Sequence, residues 1–187
     1  MNPKGEMGEG DALLIVDVQN DFCPGGALPI ARGDEVIAPL NRWIAAAAES
    51  GRPVIASRDW HPRHHPSFVT EGGPWPEHCL QDTRGAALCD SLALPSEAVI
   101  VSKGTRFDKD QYSAFDGTGL AVLLRKLSVR RLFIGGLALD VCVRATALDA
   151  RREGFDAVLI IDGTRAADPL GSPAVIRELE GAGVELV

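Results

Sequence analysis

Residues 131–146 read Arg-Leu-Phe-Ile-Gly-Gly-Leu-Ala-Leu-Asp-Val-Cys-Val-Arg-Ala-Thr. An apolar run enters a Gly-Gly pair and leaves through Asp140 into a segment of helical period. The stretch therefore predicts a strand, a tight turn and a helix. Strand–turn–helix is the building unit of an α/β fold, and it sets Cys142 in the first helical turn, where N–H groups have no intrahelical acceptor. Asp140 is the expected N-cap. The positive helix end favours thiolate over thiol, and its N–H groups, with that of Ala138 in the turn, would hold a developing oxyanion. The competing reading of Cys142 is an inert buried thiol that packs as a small hydrophobe.

The same alternation extends along the chain. Residues 12–17, 53–57, 98–102, 131–135, 157–161 and 184–187 are strand candidates, most of them continuously apolar, as strands covered on both faces are. Leu40, Trp43, Ile44 and Ala47 recur at helical spacing between Pro39, a first-turn residue, and Gly51, a stop. Leu120, Leu123, Leu124 and Leu127 share a second helical face. A third helix is expected over 141–153 with Gly154 past its end, and a fourth opens on Ser172-Pro173 as N-cap and N1 and turns Ile176 and Leu179 to the core. Strands alternating with helices give an α/β domain over residues 11–187 with a largely parallel sheet, after a polar, frayed lead-in over 1–10. Residues 59–96, rich in Pro, His, Gly and Trp, break this rhythm, and long irregular connections in compact domains are usually functional.

Bulk composition narrows the function classes. A chain of 187 residues, 45% hydrophobic and 24% charged, suits one globular domain. The net charge of −7 argues against nucleic acid as a partner, because phosphate binding wants a basic face. No apolar run approaches the roughly 18–20 residues of a membrane span, and the polar start is neither signal peptide nor anchor. Cys23, Cys79, Cys89 and Cys142 form no C-x-x-C pair, which points away from zinc fingers and disulfide frameworks and toward a reducing cytoplasm.

Three polar residues stand at or next to strand ends. Asp17 follows an apolar run, where a carboxylate must be paired or functional, and it could exchange a proton with the thiol. A cap is the plainer role, with Asp21 as the competitor four residues on. Lys103, before Gly104, could orient that carboxylate, or be a solvated surface lysine. Thiol, carboxylate and ammonium together suit a cysteine-dependent amide hydrolase. Asp59 and His61 fall on one side of an extended backbone, and His78 completes a carboxylate and two imidazoles suited to Zn²⁺, Fe²⁺ or Mn²⁺. His64 and His65 are further candidates, and loop polar groups bonded to backbone are the alternative. Phe22, Trp75 and Tyr112 could wall a flat aromatic ligand or simply pack in the core.

The chain resembles the nicotinamidase/pyrazinamidase family within the isochorismatase-like cysteine hydrolases. The matching segments are Asp17-Val18-Gln19-Asn20-Asp21-Phe22-Cys23-Pro24-Gly25-Gly26, Arg58-Asp59-Trp60-His61-Pro62 with His65 and Ser67-Phe68, and Gly73-Pro74-Trp75-Pro76-Glu77-His78-Cys79. Lys103-Gly104 with Tyr112-Ser113-Ala114-Phe115, Gly136-Leu137-Ala138-Leu139-Asp140-Val141-Cys142-Val143 and Asp162-Gly163-Thr164-Arg165 complete the set in the family's order. The resemblance implies a six-stranded, Rossmann-like three-layer fold and hydrolysis of nicotinamide to nicotinate and ammonia in NAD salvage, with pyrazinamide as a second substrate. It makes Asp17 the proton shuttle, Lys103 the positioner and Cys142 the nucleophile of a thioester. Asp59, His61 and His78 become ligands of one divalent metal that orients the pyridine ring, with Zn foremost over Fe and Mn. Ser67 falls at a fourth position near the metal, with His65 close by. A cis Leu137–Ala138 bond would shape an oxyanion hole of the Ala138 and Cys142 N–H groups, and Phe22, Trp75, Tyr112 and Leu137 would bind substrate. Val141 stands where relatives often carry a bulkier group. The expected protein is a cytoplasmic monomer or homodimer. Two alternatives stay open: a related amidohydrolase acting on another small amide, and a catalytically silent binding module of the same fold.

Overall fold

The computed structural model describes residues 6–187. Strands β1 (Asp11–Val16), β2 (Val54–Asp59), β3 (Val99–Lys103), β4 (Arg131–Leu137), β5 (Asp156–Arg165) and β6 (Glu185–Leu186) form one sheet in the order β3-β2-β1-β4-β5-β6. Every neighbouring pair is parallel. Four helices accompany them: α1 (Ile37–Glu49), α2 (Leu120–Lys126), α3 (Arg144–Arg152) and α4 (Ser172–Gly181).

Strand β1 shows why the sheet needs two covers. Its side chains alternate in direction, yet all of them are buried. Leu13 and Ile15 pack with Leu40, Ile44 and Ala47 of α1. Ala12, Leu14 and Val16 pack with Leu124, Ala147, Ala150 and Leu179 of α2, α3 and α4. A buried Leu or Ile contributes roughly 1.5–3 kcal/mol relative to exposure, so both faces hold the sheet. The α1 face is completed by Cys79, Ala86, Cys89 and Leu92 from the irregular segment. That segment has little regular structure: a short 3-10 turn over Val69–Glu71 and isolated bridges His61–Leu80 and Phe68–Trp75.

Several boundaries differ from expectation. Strand β5 runs on to Arg165, because Thr164 and Arg165 pair with Gly136 and Leu137 beyond a register shift in β4. The helix expected from residue 141 starts as α3 only at Arg144, behind a wide π-helical turn over Leu139–Val143. Asp140 is not its N-cap: its carboxylate accepts the backbone N–H groups of Ala167 and Asp168, each at 2.8 Å. Helix α4 is preceded by Gly171, and Ser172 is its first residue. Of the expected lead-in, residues 1–5 lie outside the described residues. Residues 6–10 are tied to the sheet, with Arg131 donating to Glu6 O at 3.2 Å and the Arg130 N–H to Gly10 O at 2.7 Å. Among the described residues no helix is long and apolar enough to cross a membrane.

The strand order reverses between β1 and β4: the chain builds outward through β2 and β3 on one side and through β5 and β6 on the other. The crevice beyond the carboxyl ends of such neighbouring strands is where open α/β sheets place their ligands.

Candidate active site and metal-binding cluster

Four strands deliver side chains to that crevice. Asp17 follows β1 directly and takes φ of 50°, a left-handed conformation that non-glycine residues adopt at a cost and that turns the chain sharply at the sheet edge. Asp59 and Lys103 are the last residues of β2 and β3 and lie opposite each other in the register. Beyond the end of β4 the cis peptide Leu137–Ala138 leads into the π-helical turn that carries Cys142.

These side chains converge. Lys103 Nζ lies 2.7 Å from Asp17 Oδ2, 2.6 Å from Asp59 Oδ1 and 3.5 Å from Cys142 Sγ, and it also donates to Gln111 O at 3.4 Å. Lys103 and Asp17 are fully buried. Ser57 Oγ donates to Asp17 Oδ1 at 2.7 Å, Oδ2 faces the Lys103 ammonium, and the carboxylate lies within 4.8 Å of the thiol. Burial alone would lower the Lys103 pKa, but Asp17 and Asp59 outweigh it and hold the ammonium well above its usual value. Burial pushes the Asp17 carboxyl up, against the pull of Lys103. The Cys142 thiol is also pushed up, chiefly by burial, with Lys103 opposing and Asp17 reinforcing the shift. Burial thus opposes the helix-end thiolate expected from sequence and favours the thiol, beside a carboxyl that burial also pushes up.

A second cluster adjoins the first. Ligand-type atoms of Asp59, His61 and His78 all lie within 4.8 Å of one another. His61 Nδ1 bonds Gly104 O at 2.8 Å and His78 Nδ1 bonds Pro76 O at 2.7 Å. A carbonyl only accepts, so each Nδ1 carries the proton and each Nε2 keeps its lone pair for a metal. Burial, aided by His78, pushes the His61 pKa down to about 4, which keeps the ring in its neutral, ligating form. His65, lowered to about 4 mainly by burial, pairs its Nδ1 with Ser67 Oγ at 2.7 Å. Its buried Nε2 has no hydrogen-bond partner among the described residues. Two oriented imidazoles, a carboxylate and a nearby unpaired nitrogen fit a bound cation with its water. His64 is exposed and pairs with Glu71 at 2.8 Å, outside the cluster.

One cavity of about 270 Å³ joins the two clusters, lined by Cys142 and Ala138 as well as by Asp59, His61 and His78. Phe22, Ile30 and Val141 supply apolar wall. At the mouth Trp75 Nε1–H donates to Tyr112 Oη at 3.1 Å, joining the two aromatic residues that also line the cavity. The volume falls just below the usual range for drug-sized ligands and suits a small ring. Leu137, expected as a pocket residue, does not line the cavity. Its side chain is fully buried in the α1-side core, because β4 points it away from the crevice.

Sequence reasoning missed the groups that hold these side chains. Gln19 is fully buried; its Nε2 donates to Asp59 O at 2.7 Å and to Ala86 O at 2.8 Å, and its Oε1 accepts the Asp59 N–H at 2.8 Å. Ser57 lies two residues before Asp59 on β2, a spacing that shares a face and was the available signal. Gly104 has φ of 65°, and a Cβ there would collide with the His61 ring. Asp21, the rival of Asp17, braces the irregular segment instead, accepting the Cys79 N–H at 2.7 Å beside His78.

A model of the isochorismatase domain matches residues 11–187, and the chain belongs to that family. Within it the likeness narrows to one branch. The nicotinamidase of Escherichia coli (strain K12) is 38% identical over 198 residues, covering 94% of this chain and 93% of its own. The crystal structure of the pyrazinamidase of Pyrococcus horikoshii in complex with zinc is 46% identical with a TM-score of 0.92, covering 95% of this chain and 98% of that one. The structure of PnC1 from L. infantum in complex with nicotinate is 41% identical with a TM-score of 0.89, covering 97% and 94%.

Proposed function

We propose that this protein is a nicotinamidase: it hydrolyses nicotinamide to nicotinate and ammonia in NAD salvage, in the cytoplasm, as a monomer or homodimer, and accepts pyrazinamide as well. The observation that carries this reading is the single cavity in which Cys142 faces the Asp59, His61 and His78 cluster under an aromatic mouth.

Cys142 Sγ attacks the carboxamide carbon while its proton passes to the Asp17 carboxylate, which lies within 4.8 Å of the sulfur. Coupling proton transfer to attack suits a thiol whose pKa burial has raised, since a free thiolate never has to accumulate. The backbone N–H groups of Ala138 and Cys142 receive the carbonyl oxygen as it gains charge. Asp17 then protonates the leaving nitrogen, ammonia departs, and a thioester remains on Cys142. Asp17, again a carboxylate, draws a proton from water as the water attacks the thioester, which releases nicotinate and restores the thiol. Lys103 stays charged throughout and keeps Asp17 in line. Phe22, Trp75 and Tyr112 hold the ring. Asp59, His61 and His78 would hold one divalent metal, Zn²⁺ foremost, which when bound supplies a Lewis-acid anchor for the pyridine nitrogen.

The direct test is ammonia release from nicotinamide, pyrazinamide and a panel of other small amides by the metal-loaded enzyme. Turnover of nicotinamide well above the panel is expected. Turnover of another amide with silence on nicotinamide would overturn the substrate, and silence on the whole panel with metal bound would overturn the enzyme reading.

Two substitutions probe the metal cluster without relying on turnover. His61→Ala removes a ligand, so metal per chain should fall several-fold by elemental analysis and KM should rise; unchanged stoichiometry would refute the ligand role. Gln19→Leu leaves all ligands in place but strips both backbone partners from Asp59. Metal affinity by competition with a chelator should drop about 10–100-fold. Affinity equal to that of the parent protein would show that Gln19 does not position Asp59.

A further inference from the structure

We propose that Cys23 and Cys89 form a modification site, a dithiol that hydrogen peroxide oxidises to a disulfide, stapling the Phe22 wall of the cavity to the segment that follows His78. The proposal is independent of the substrate assigned above. The two sulfurs lie 3.3 Å apart although 66 residues separate them in sequence, and both side chains are buried in the α1-side core. Among the described residues no other pair of cysteine sulfurs is in contact.

The backbone holds the two thiols together independently of their own contact. Asp21 N–H donates to Gly85 O at 3.0 Å, Asn20 N–H to Ala87 O at 3.0 Å and Cys89 N–H to Val18 O at 2.9 Å. Gln19 and Leu88 form a bridge between the same segments. Bond formation at about 2.05 Å asks the sulfurs to close by little more than about 1 Å, a side-chain adjustment on a fixed frame. The pair is also chemically unequal. The hydrogen bond with Cys89 lowers the Cys23 pKa, and the same contact raises that of Cys89. Cys23 is therefore the attacking sulfur and Cys89 the resolving one. Each residue retains a small exposure, 8% for Cys23 and 7% for Cys89, which favours a small oxidant over a bulky disulfide.

The chemistry balances. The Cys23 thiolate attacks one oxygen of hydrogen peroxide, the O–O bond breaks, and one water leaves with the thiol proton, giving a sulfenic acid. Cys89 Sγ then attacks Cys23 Sγ, the S–O bond breaks, and the second water leaves with the Cys89 proton. Two thiols and one peroxide become one disulfide and two waters.

Cys23 and Cys89 do not line the cavity, so their substitution leaves basal turnover in place. The test treats the purified protein with hydrogen peroxide, alkylates remaining thiols under denaturing conditions and maps the peptides. The expected result is a cross-linked pair of peptides holding Cys23 and Cys89, with Cys79 alkylated. The melting temperature should rise by about 5 °C or more, since the bond closes a long loop, and dithiothreitol should reverse the rise. Cys89→Ala and, separately, Cys23→Ser should keep turnover and lose the peroxide-induced rise. Alkylation of both Cys23 and Cys89 after peroxide treatment, or oxidation of either to an irreversible acid without a cross-link, overturns the proposal. A cross-link that leaves the melting temperature unchanged overturns the stapling.

Discussion

Cys142→Ala should lower kcat by at least about 10³-fold while leaving the protein folded and able to bind nicotinate. The factor corresponds to about 4 kcal/mol of transition-state stabilisation, which is what a covalent route supplies when the one thiol lining the cavity is its nucleophile. Asp17 remains as a proton acceptor and the Ala138 N–H remains in the turn, so water could still be activated slowly. That residue of rate is the reason to expect a large loss and not complete silence. Binding should survive, because the aromatic mouth and the Asp59, His61 and His78 cluster do not depend on the sulfur for position: their supports are Gly104 O, Pro76 O and Gln19. The stability cost of removing one buried sulfur is about 1 kcal/mol. Steady-state kinetics with calorimetric titration of nicotinate separates the two effects. Near-native turnover by the mutant would remove Cys142 from the chemistry, whereas loss of nicotinate binding together with rate would show that the sulfur serves the pocket instead.

The parts of this architecture legible in sequence are those that depend on local pattern. The unbroken apolar runs of β1 and β4 announced strands buried on both faces, whereas the Gly-Gly pair after Ile134, which reads as the turn, lies within β4, and the turn into the Cys142 segment follows Leu137. What local pattern does not carry is the partner. β5 reads as finished at Ile161, where Asp162 and Gly163 follow, yet the strand continues because Gly136 O accepts the Thr164 hydroxyl at 2.8 Å across the sheet. Asp140 looks like a cap, but its acceptors are claimed by Ala167 and Asp168, groups far along the chain. The same limit applies at the site. Asp17, Lys103 and Cys142 could be singled out because each ends, or closely follows, a strand, but their meeting follows from a strand order that no single segment encodes. Gln19 and Ser57 went unassigned because their importance lies in what they hold, a backbone and a carboxylate from other strands. The thiol's raised pKa was hidden for a related reason: the helix end was visible in sequence, but not the burial or the two carboxylates of the assembled site.

Lys103→Met should produce the largest combined loss, in both stability and rate. The ammonium is fully buried and, among the described residues, is the one Lys or Arg group in contact with Asp17 and Asp59, at 2.7 and 2.6 Å. Methionine fills nearly the same volume, so the change removes charge and little packing. Two carboxylates then face each other in a buried crevice with nothing to offset either desolvation or repulsion. Breaking a buried ion pair from one side typically costs about 3–5 kcal/mol. A bound metal would offset the Asp59 charge, which leaves Asp17 as the group most exposed to the loss. Its carboxyl, already pushed up by burial, moves further up once the opposing pull of Lys103 is gone. The folded variant then binds a proton at Asp17 more readily than the unfolded chain does, so its stability is least impaired at low pH and declines as pH rises past the ordinary carboxylate value. A protonated Asp17 also cannot accept the Cys142 proton, so kcat should fall by about 10³-fold or more near neutrality, part of it from the lost base. Urea unfolding of the parent and variant at pH 5 and pH 8 reads the first effect, and ammonia release reads the second. A deficit of the same size at both pH values would show that Lys103 acts through packing and not through charge, and the assignment of Asp17 as a base held ionised by Lys103 would fall with it.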